Sequence, residues 1–236
     1  MECWVEEIFH VLLNENSIDL FFEKVILHAQ SIGFEYCAYG LRSPVPITRP
    51  NFEIISNYPF TWQKKYQNNG YLYIDPTVQH GIKSHLPVLW SEKLFLDTRE
   101  FWEEAKTEGV CHGWSLSTRS QNGFVGMLSL ARGHDPIADD ELSIKSPQMA
   151  WLSHACHIGM MKFLRAKMAP ELTIKLTDRE MEVLKWTAEG KTSNEIADIL
   201  NISYGTINFH IANSISKLQT VNKTAAVVRA AMLGLL

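Results

Sequence analysis

The side chains best suited to chemistry lie between Asn57 and Val78, in "NYPFTWQKKYQNNGYLYIDPTV". Trp62 and Tyr66 are four residues apart and share one helical face, with Pro59 suited to the first turn. Tyr58 ends the preceding strand pattern. Asp75 precedes Pro76 and is therefore extended. The set offers an indole N–H donor, two phenols and a carboxylate among apolar neighbours. Trp90, Phe101 and Trp102 follow, with Ser115 and Ser129 on strand patterns. An apolar cavity with a few fixed polar groups suits a small amphiphilic ligand. Taken singly, each aromatic also reads as core, and Asp75 as a helix cap or turn residue.

A second constellation lies in "TSNEIADILNISYGTINFHIANSISKL", Thr192 to Leu218. Ile196, Ala197 and Leu200 share one helical face. Ile207, Ile211, Ser214 and Leu218 form a narrow stripe on the next helix, which Ser203 can cap. The opposite side presents Gly205, Phe209, Ala212, Asn213 and Ser216, flanked by Thr206 and Asn208. This surface is small, polar and nearly uncharged. Asn side chains can donate and accept at an adenine edge. Periodicity alone leaves a plain three- or four-helix bundle equally open.

Catalytic chemistry finds no support. GxSxG, HxxxH and HExxH patterns are absent, and Cys111 and His112 are neighbours in sequence, a poor geometry for a dyad. The four cysteines are scattered without CxxC, arguing against a zinc site or disulfide framework and for a reducing cytoplasm. The N-terminus lacks a signal-peptide layout, and no apolar run approaches a membrane span. The net charge of −4 argues against non-specific nucleic-acid binding. Residues 170–236 hold seven basic and seven acidic side chains, so DNA affinity there would be modest.

The elements that must position these groups divide at "RAKMAPELTIKLTDRE". Pro170 breaks a helix, and Thr177 with Glu180 forms a capping-box signal. Before it, helix patterns cover roughly 2–14, 17–31, 59–69, 97–109 and 138–166. Strand patterns are "EYCAYGLR", "FEIISNY", "GWSLSTR" and "GFVGMLSLAR", the last two joined by the hairpin signal "SQNG". After it come four helices, roughly 178–188, 192–200, 203–218 and 222–233. The expected fold is α+β: an α-β-α sandwich with an antiparallel sheet over 1–165, a linker over 166–175, and a small all-α helix-turn-helix domain over 176–236.

The C-terminal segment resembles the LuxR-type helix-turn-helix output domain over its full length, through Glu180, Leu184, Gly190, Lys191, Thr192, Glu195, Ile196, Ala197, Leu200, Thr206, His210, Lys217, Leu218 and Asn222. The resemblance makes 203–218 the recognition helix. Asn208, Phe209, Ala212 and Asn213 then belong to its DNA face, with Phe209 suited to a thymine methyl. Lys191, Thr192, Ser203, Thr206, Lys217 and Lys223 become candidates for phosphate contact, each of which also reads as a cap or solvated cation. Relatives often carry a basic residue at the Asn208 or Ala212 position, and Gly205 costs about 1 kcal/mol of helix propensity. Both departures predict weak binding by one module, hence a homodimer on a two-fold site.

The order Tyr58, Trp62, Tyr66, Asp75-Pro76, Trp90 and Gly113 resembles the acyl-homoserine-lactone-binding domain of LuxR-type quorum-sensing receptors. The resemblance implies that Trp62 donates to the lactone carbonyl and Asp75 accepts the ligand amide N–H. Tyr58 and Ser129 would serve the acyl carbonyl, with Ser115 on the neighbouring strand. Trp90, Phe101, Trp102 and Ala105 would wall the lactone ring. Tyr66, Val78, Val125 and Met127 would line the acyl chain, each buried methylene contributing about 0.8 kcal/mol. It further implies no cofactor beyond the signal ligand, double-stranded DNA and RNA polymerase as partners, no membrane, and a cytoplasmic regulator. A dimer face is expected on the helix over 138–166 through Trp151, Leu152, Cys156, Ile158 and Met161, or else packing of that helix on its own sheet. The competing readings are a regulator of the same architecture with another lipid-like ligand or none, an enzyme acting on the lactone, and a response regulator carrying the same output domain.

Overall fold

The computed structural model describes residues 15–168 and 174–236. The helix expected over 2–14, the Pro170 break and much of the expected linker lie outside the described residues. Two compact units divide between Leu164 and Arg165, and the segments Ser43–Asn51 and Ser120–Phe124 group with the second.

The first unit is built on a five-stranded antiparallel sheet in the order β2-β1-β5-β4-β3: β1 Tyr36–Arg42, β2 Phe52–Ser56, β3 Val88–Leu89, β4 His112–Arg119 and β5 Val125–Arg132. Alternation in "YCAYGLR" sends Cys37, Tyr39 and Leu41 to one face, all at most 1% exposed. Ala38, Gly40 and Arg42 go to the other. Helices α1 (Ile18–Ser31) and α5 (Asp139–Met168) cover the first face. Phe21, Phe22, Val25 and Ala29 form the buried stripe of α1, whose N-terminus Ser17 caps. The ring of Phe21 lies where a Cβ at Gly159 of α5 would be, which lets the two helices pack closely. Tyr39 reaches across to α5, its hydroxyl 2.8 Å from Nδ1 of the buried His157.

The expected dimer face is corrected at two positions. Leu152 and Cys156 are 1% and 0% exposed within this single chain, so they belong to the inward stripe of α5. Ile158 is exposed, and Trp151 and Met161 are half-buried.

Helices α2 (Phe60–Asn68), α3 (Pro76–Lys83) and α4 (Arg99–Thr107) lie on the side of Ala38 and Gly40, with one-turn 3-10 segments at Tyr71–Tyr73 and Leu96–Thr98. Helix α3 and strand β3 were not foreseen. The signal for α3 was present, since Asp75 caps it and Pro76 occupies the first turn, where a missing N–H costs nothing.

The second unit carries α6 (Asp178–Ala188), α7 (Ser193–Leu200), α8 (Tyr204–Lys217) and α9 (Lys223–Met232). Thr177 and Glu180 form the expected capping box. Thr192 and Glu195 form another at α7. Helix α7 ends on Asn201 at φ 52°, a left-handed conformation that Asn tolerates, and Ser203 caps α8 two residues later. Val183, Ile196, Ala197, Ile207 and Ile211 make one core cluster; Leu184, Leu218, Ala226 and Ala230 make the other. None of the described helices is long and apolar enough to cross a membrane.

Candidate functional site

A cavity of about 130 Å³ lies between the sheet and α2–α4. Tyr58, Trp62, Tyr66, Asp75, Val78, Trp90, Phe101, Trp102, Ala105, Val125, Met127 and Ser129 all line it. Trp62 is 2% exposed, with ring centroids 6.0, 5.8 and 5.6 Å from those of Tyr66, Tyr71 and Phe101. Phe95 stacks on Trp102 at 4.9 Å, and Lys106 Nζ sits 3.8 Å from the Trp102 ring centroid. The indole N–H of Trp102 is buried without a partner among the described residues.

Asp75 is 8% exposed and held by hydrogen bonds from Thr77 and Tyr66. Its Oδ1 accepts from the Thr77 backbone N–H at 2.8 Å and from the Thr77 hydroxyl at 2.7 Å. Its Oδ2 accepts from the Tyr66 hydroxyl at 3.0 Å. Burial pushes the Asp75 carboxyl above the usual carboxylate range, and these bonds pull it back. Burial also raises the Tyr58 and Tyr66 phenols, with the Asp75 charge adding to both, so both remain protonated donors. Asp75 is therefore at once a helix cap and a cavity acceptor.

Ser115 does not line the cavity. It is 1% exposed and sits behind the wall, where its hydroxyl accepts from Trp90 Nε1 at 3.0 Å and lies 2.7 Å from Ser129 Oγ. This corrects its expected role: Ser115 reaches the cavity through Trp90 and Ser129. Gly113 is what allows this, because a Cβ there would lie 2.5 Å from the Trp90 ring. The Trp90 backbone N–H donates to Gly113 O at 2.8 Å, so chain and ring both lie against β4.

Several lining residues escaped the sequence reading: Ala38, Gly40, Arg42, Phe52, Ile54, Gln63, Leu72, Gly81, Phe95 and Val110 among them. For β1 and β2 the signal was the two-residue alternation itself. For Leu72, in a one-turn 3-10 segment, and Phe95, in a turn, the stretch is too short for a periodic pattern to show.

In the second unit, Phe209 is 62% exposed, Gly205 and Ala212 are exposed, and Asn208, Asn213 and Thr206 are half-buried. Ile207, Ile211, Ser214 and Leu218 are all buried, as their spacing predicts. Helix α8 therefore presents an uncharged, chemically varied face outward. Ser203 and Thr206 hydroxyls bond one another at 2.8 Å, and Lys191 Nζ lies 3.9 Å from Glu195. Thr192 is engaged in its capping box, and Lys223 opens α9. Lys217 pairs with the buried Glu180 at 2.7 Å, a stabilising task that its sequence position did not reveal. Burial at one end of α6 pushes the Glu180 carboxyl up, but the bonds from Lys217 and the Thr177 N–H together outweigh it and hold the group below the usual carboxylate range.

Comparison with known proteins gives the same division of labour. Residues 19–158 match the autoinducer binding domain family, and residues 175–230 match the family of bacterial regulatory proteins, luxR family. The transcriptional activator protein AnoR of Acinetobacter nosocomialis is 42% identical over 238 residues, spanning 100% of each chain. The quorum-sensing regulator RhlR of Pseudomonas aeruginosa is 39% identical over 209 residues, spanning 87% of this chain and 85% of RhlR. The crystal structure of Escherichia coli SdiA superposes with a TM-score of 0.84 at 33% identity, covering 98% of this chain and 97% of SdiA. SdiA in complex with octanoyl-rac-glycerol gives the same TM-score and identity, with 98% and 95% coverage. The relatives are regulators and not enzymes. An autoinducer-binding domain joined to a helix-turn-helix domain over the full chain makes this protein a member of the LuxR family of quorum-sensing transcriptional regulators.

Proposed function

We propose that this regulator binds an N-acyl-homoserine lactone in its first unit and, as a homodimer, a palindromic operator through α8. The observation that carries the reading is the convergence of Trp62, Asp75 and Tyr58 on one apolar cavity. An amide N–H needs an acceptor, and Asp75 Oδ2 has capacity for one bond beyond that from Tyr66. Lactone and acyl carbonyls need donors. Trp62 Nε1 supplies one and the Tyr58 hydroxyl another, with Ser129 beside it. Trp90, Phe101, Trp102 and Ala105 close around the ring, and Val78, Val125 and Met127 take the chain. Ligand bound to the folded form stabilises it by mass action.

Phosphate contacts would come from Lys191, Thr192, Ser203, Thr206, Lys217 and Lys223, and base contacts from Asn208, Phe209, Ala212 and Asn213. The dimer supplies the second module that an uncharged recognition face requires, and RNA polymerase is the further partner of a bound activator.

A second reading, a monoacylglycerol as ligand, is favoured by the solved SdiA complex with octanoyl-rac-glycerol. A glycerol ester lacks the amide N–H, so Asp75 would have to accept from a hydroxyl. The test is mass spectrometry of small molecules extracted from the protein after expression with N-acyl-homoserine lactones, with octanoyl-glycerol, and with neither. Lactone retained in preference to glyceride supports the first reading. Retention of glyceride alone would replace it with the second.

A further inference from the structure

The floor of the cavity changes chemistry along its length. Strand register aligns Ala38 with Ser129, Gly40 with Met127 and Arg42 with Val125 across β1 and β5. Residues two apart share a face, so these pairs form three successive rows beneath the cavity. The Ser129 row lies at the Tyr58 end, where the Asn57 backbone N–H donates to Cys37 O. Helix α3 runs away from that end. Asp75 caps its start, Gly81 packs on Met127, and the Ile82 carbonyl near its finish accepts from Arg119. Arg119 pairs in register with Val125, in the third row. Arg42 and Asp75 therefore stand at opposite ends of one cavity.

Arg42 is half-buried and lines that cavity. Among the described residues no carboxylate pairs with it. Burial, with the like charge of Arg119, pushes its guanidinium down from the ordinary value. Arg119 is engaged with the Ile82 carbonyl, whereas the planar donor fork of Arg42 has no described acceptor. A guanidinium at the end of an otherwise apolar tail channel is an inefficient wall for a methyl group and a good one for an oxygen.

The first and third rows are four residues apart, so about 13–14 Å separates them along the strand. An extended chain advances about 1.2 Å per bond, so a tail of about ten carbons spans that distance.

We infer that Arg42 is the far-end recognition residue of this cavity, and that the cavity favours an acyl amide whose chain of about ten carbons ends in an oxygen acceptor, a hydroxyl or carboxylate. The inference rests on the proposed amide-binding role of Asp75.

The test is calorimetric titration of the full-length protein with N-decanoyl, ω-hydroxydecanoyl and ω-carboxynonanoyl homoserine lactone, in wild type, Arg42→Met and Arg42→Lys. In wild type the ω-oxygenated ligands should bind at least as tightly as the plain one. Arg42→Met should keep the plain ligand and lose about tenfold on the ω-oxygenated ones, the scale of a charge-assisted bond. Arg42→Lys should retain the carboxylate ligand. Equal penalties for the ω-groups in wild type and Arg42→Met would overturn the inference. If Arg42→Met does not fold, wild type and Arg42→Lys decide it: rejection of both ω-ligands by both proteins overturns it. Failure of wild type to bind even the plain decanoyl ligand would instead sink the amide-site reading. Plain-ligand binding with no effect of Arg42 would sink only this one.

Discussion

The Tyr66 hydroxyl donates to Asp75 Oδ2 across 3.0 Å, while Thr77 occupies Oδ1 with its backbone N–H and its hydroxyl. The pair ties helix α2 to the first turn of α3 and fixes the direction in which the carboxylate accepts a further bond. Asp75→Asn keeps a competent helix cap but removes the charge. Ligand affinity should fall tenfold or more, given about 1.5–3 kcal/mol for a charge-assisted bond, while the melting temperature without ligand changes little. Titration with N-decanoyl homoserine lactone alongside thermal melts checks both. Unchanged affinity would remove Asp75 from the binding site.

Gly113→Ala places a Cβ 2.5 Å from the Trp90 ring. The ring must leave β4, breaking its bond to Ser115 and unseating Ser129. Overpacking of this kind costs about 1–3 kcal/mol. The expected outcome is a lower melting temperature, altered tryptophan emission and weaker lactone binding. Normal emission would mean that Trp90 does not depend on this glycine.

Gly40 faces open space, with nothing within 4 Å of where a Cβ would stand. Gly40→Val should therefore be tolerated by the strand, and Val also suits β structure better. Its cost falls on the ligand: affinity for ten-carbon tails should drop about tenfold, with shorter tails of about six carbons nearly unaffected. Competition binding with a series of chain lengths reads this directly. A uniform loss across the series would argue for distortion of the sheet.

Glu141 accepts from Arg132 at 2.9 and 2.7 Å and from Lys145 at 2.7 Å. The Arg132 and Lys145 hydrogen bonds pull its carboxyl down to about 2. A carboxylate depressed on folding stabilises the fold above its unfolded value and loses that contribution as pH falls through the folded one. Glu141→Gln should thus melt lower than wild type at pH 7, and the gap should close between about pH 4.5 and pH 2. A gap independent of pH would assign the effect to packing.

Lys217 and Lys223 should separate stability from DNA binding. Lys217→Ala leaves the buried Glu180 without its cation and should destabilise the helix-turn-helix unit. The loss should fall short of the about 3–5 kcal/mol of a fully buried pair, because the Lys217 side chain is partly exposed. Lys223→Ala should leave melting unchanged and flatten the salt dependence of operator binding by about one unit of slope. Phe209→Ala should relax sequence preference without altering that slope. These are read by anisotropy titrations at several salt concentrations.

The helical and strand periods, the capping signals at Thr177 and Ser203, and the order of aromatic and acidic residues were local properties, and they were legible without coordinates. So were somewhat fewer than half of the cavity-lining side chains, those whose types and spacing carried the family's pattern. Tertiary structure decided what depends on two distant segments meeting. Register across β1 and β5 put Arg42 opposite Val125 at the far end of the cavity. Packing turned Leu152 and Cys156 inward, and the fold of four helices set Lys217 against Glu180. Ser115 acts through neighbours because a glycine two residues before it makes room for an indole twenty-five positions away in sequence. Such relations depend on the distance between groups far apart in the chain, and a linear pattern holds no term for that distance.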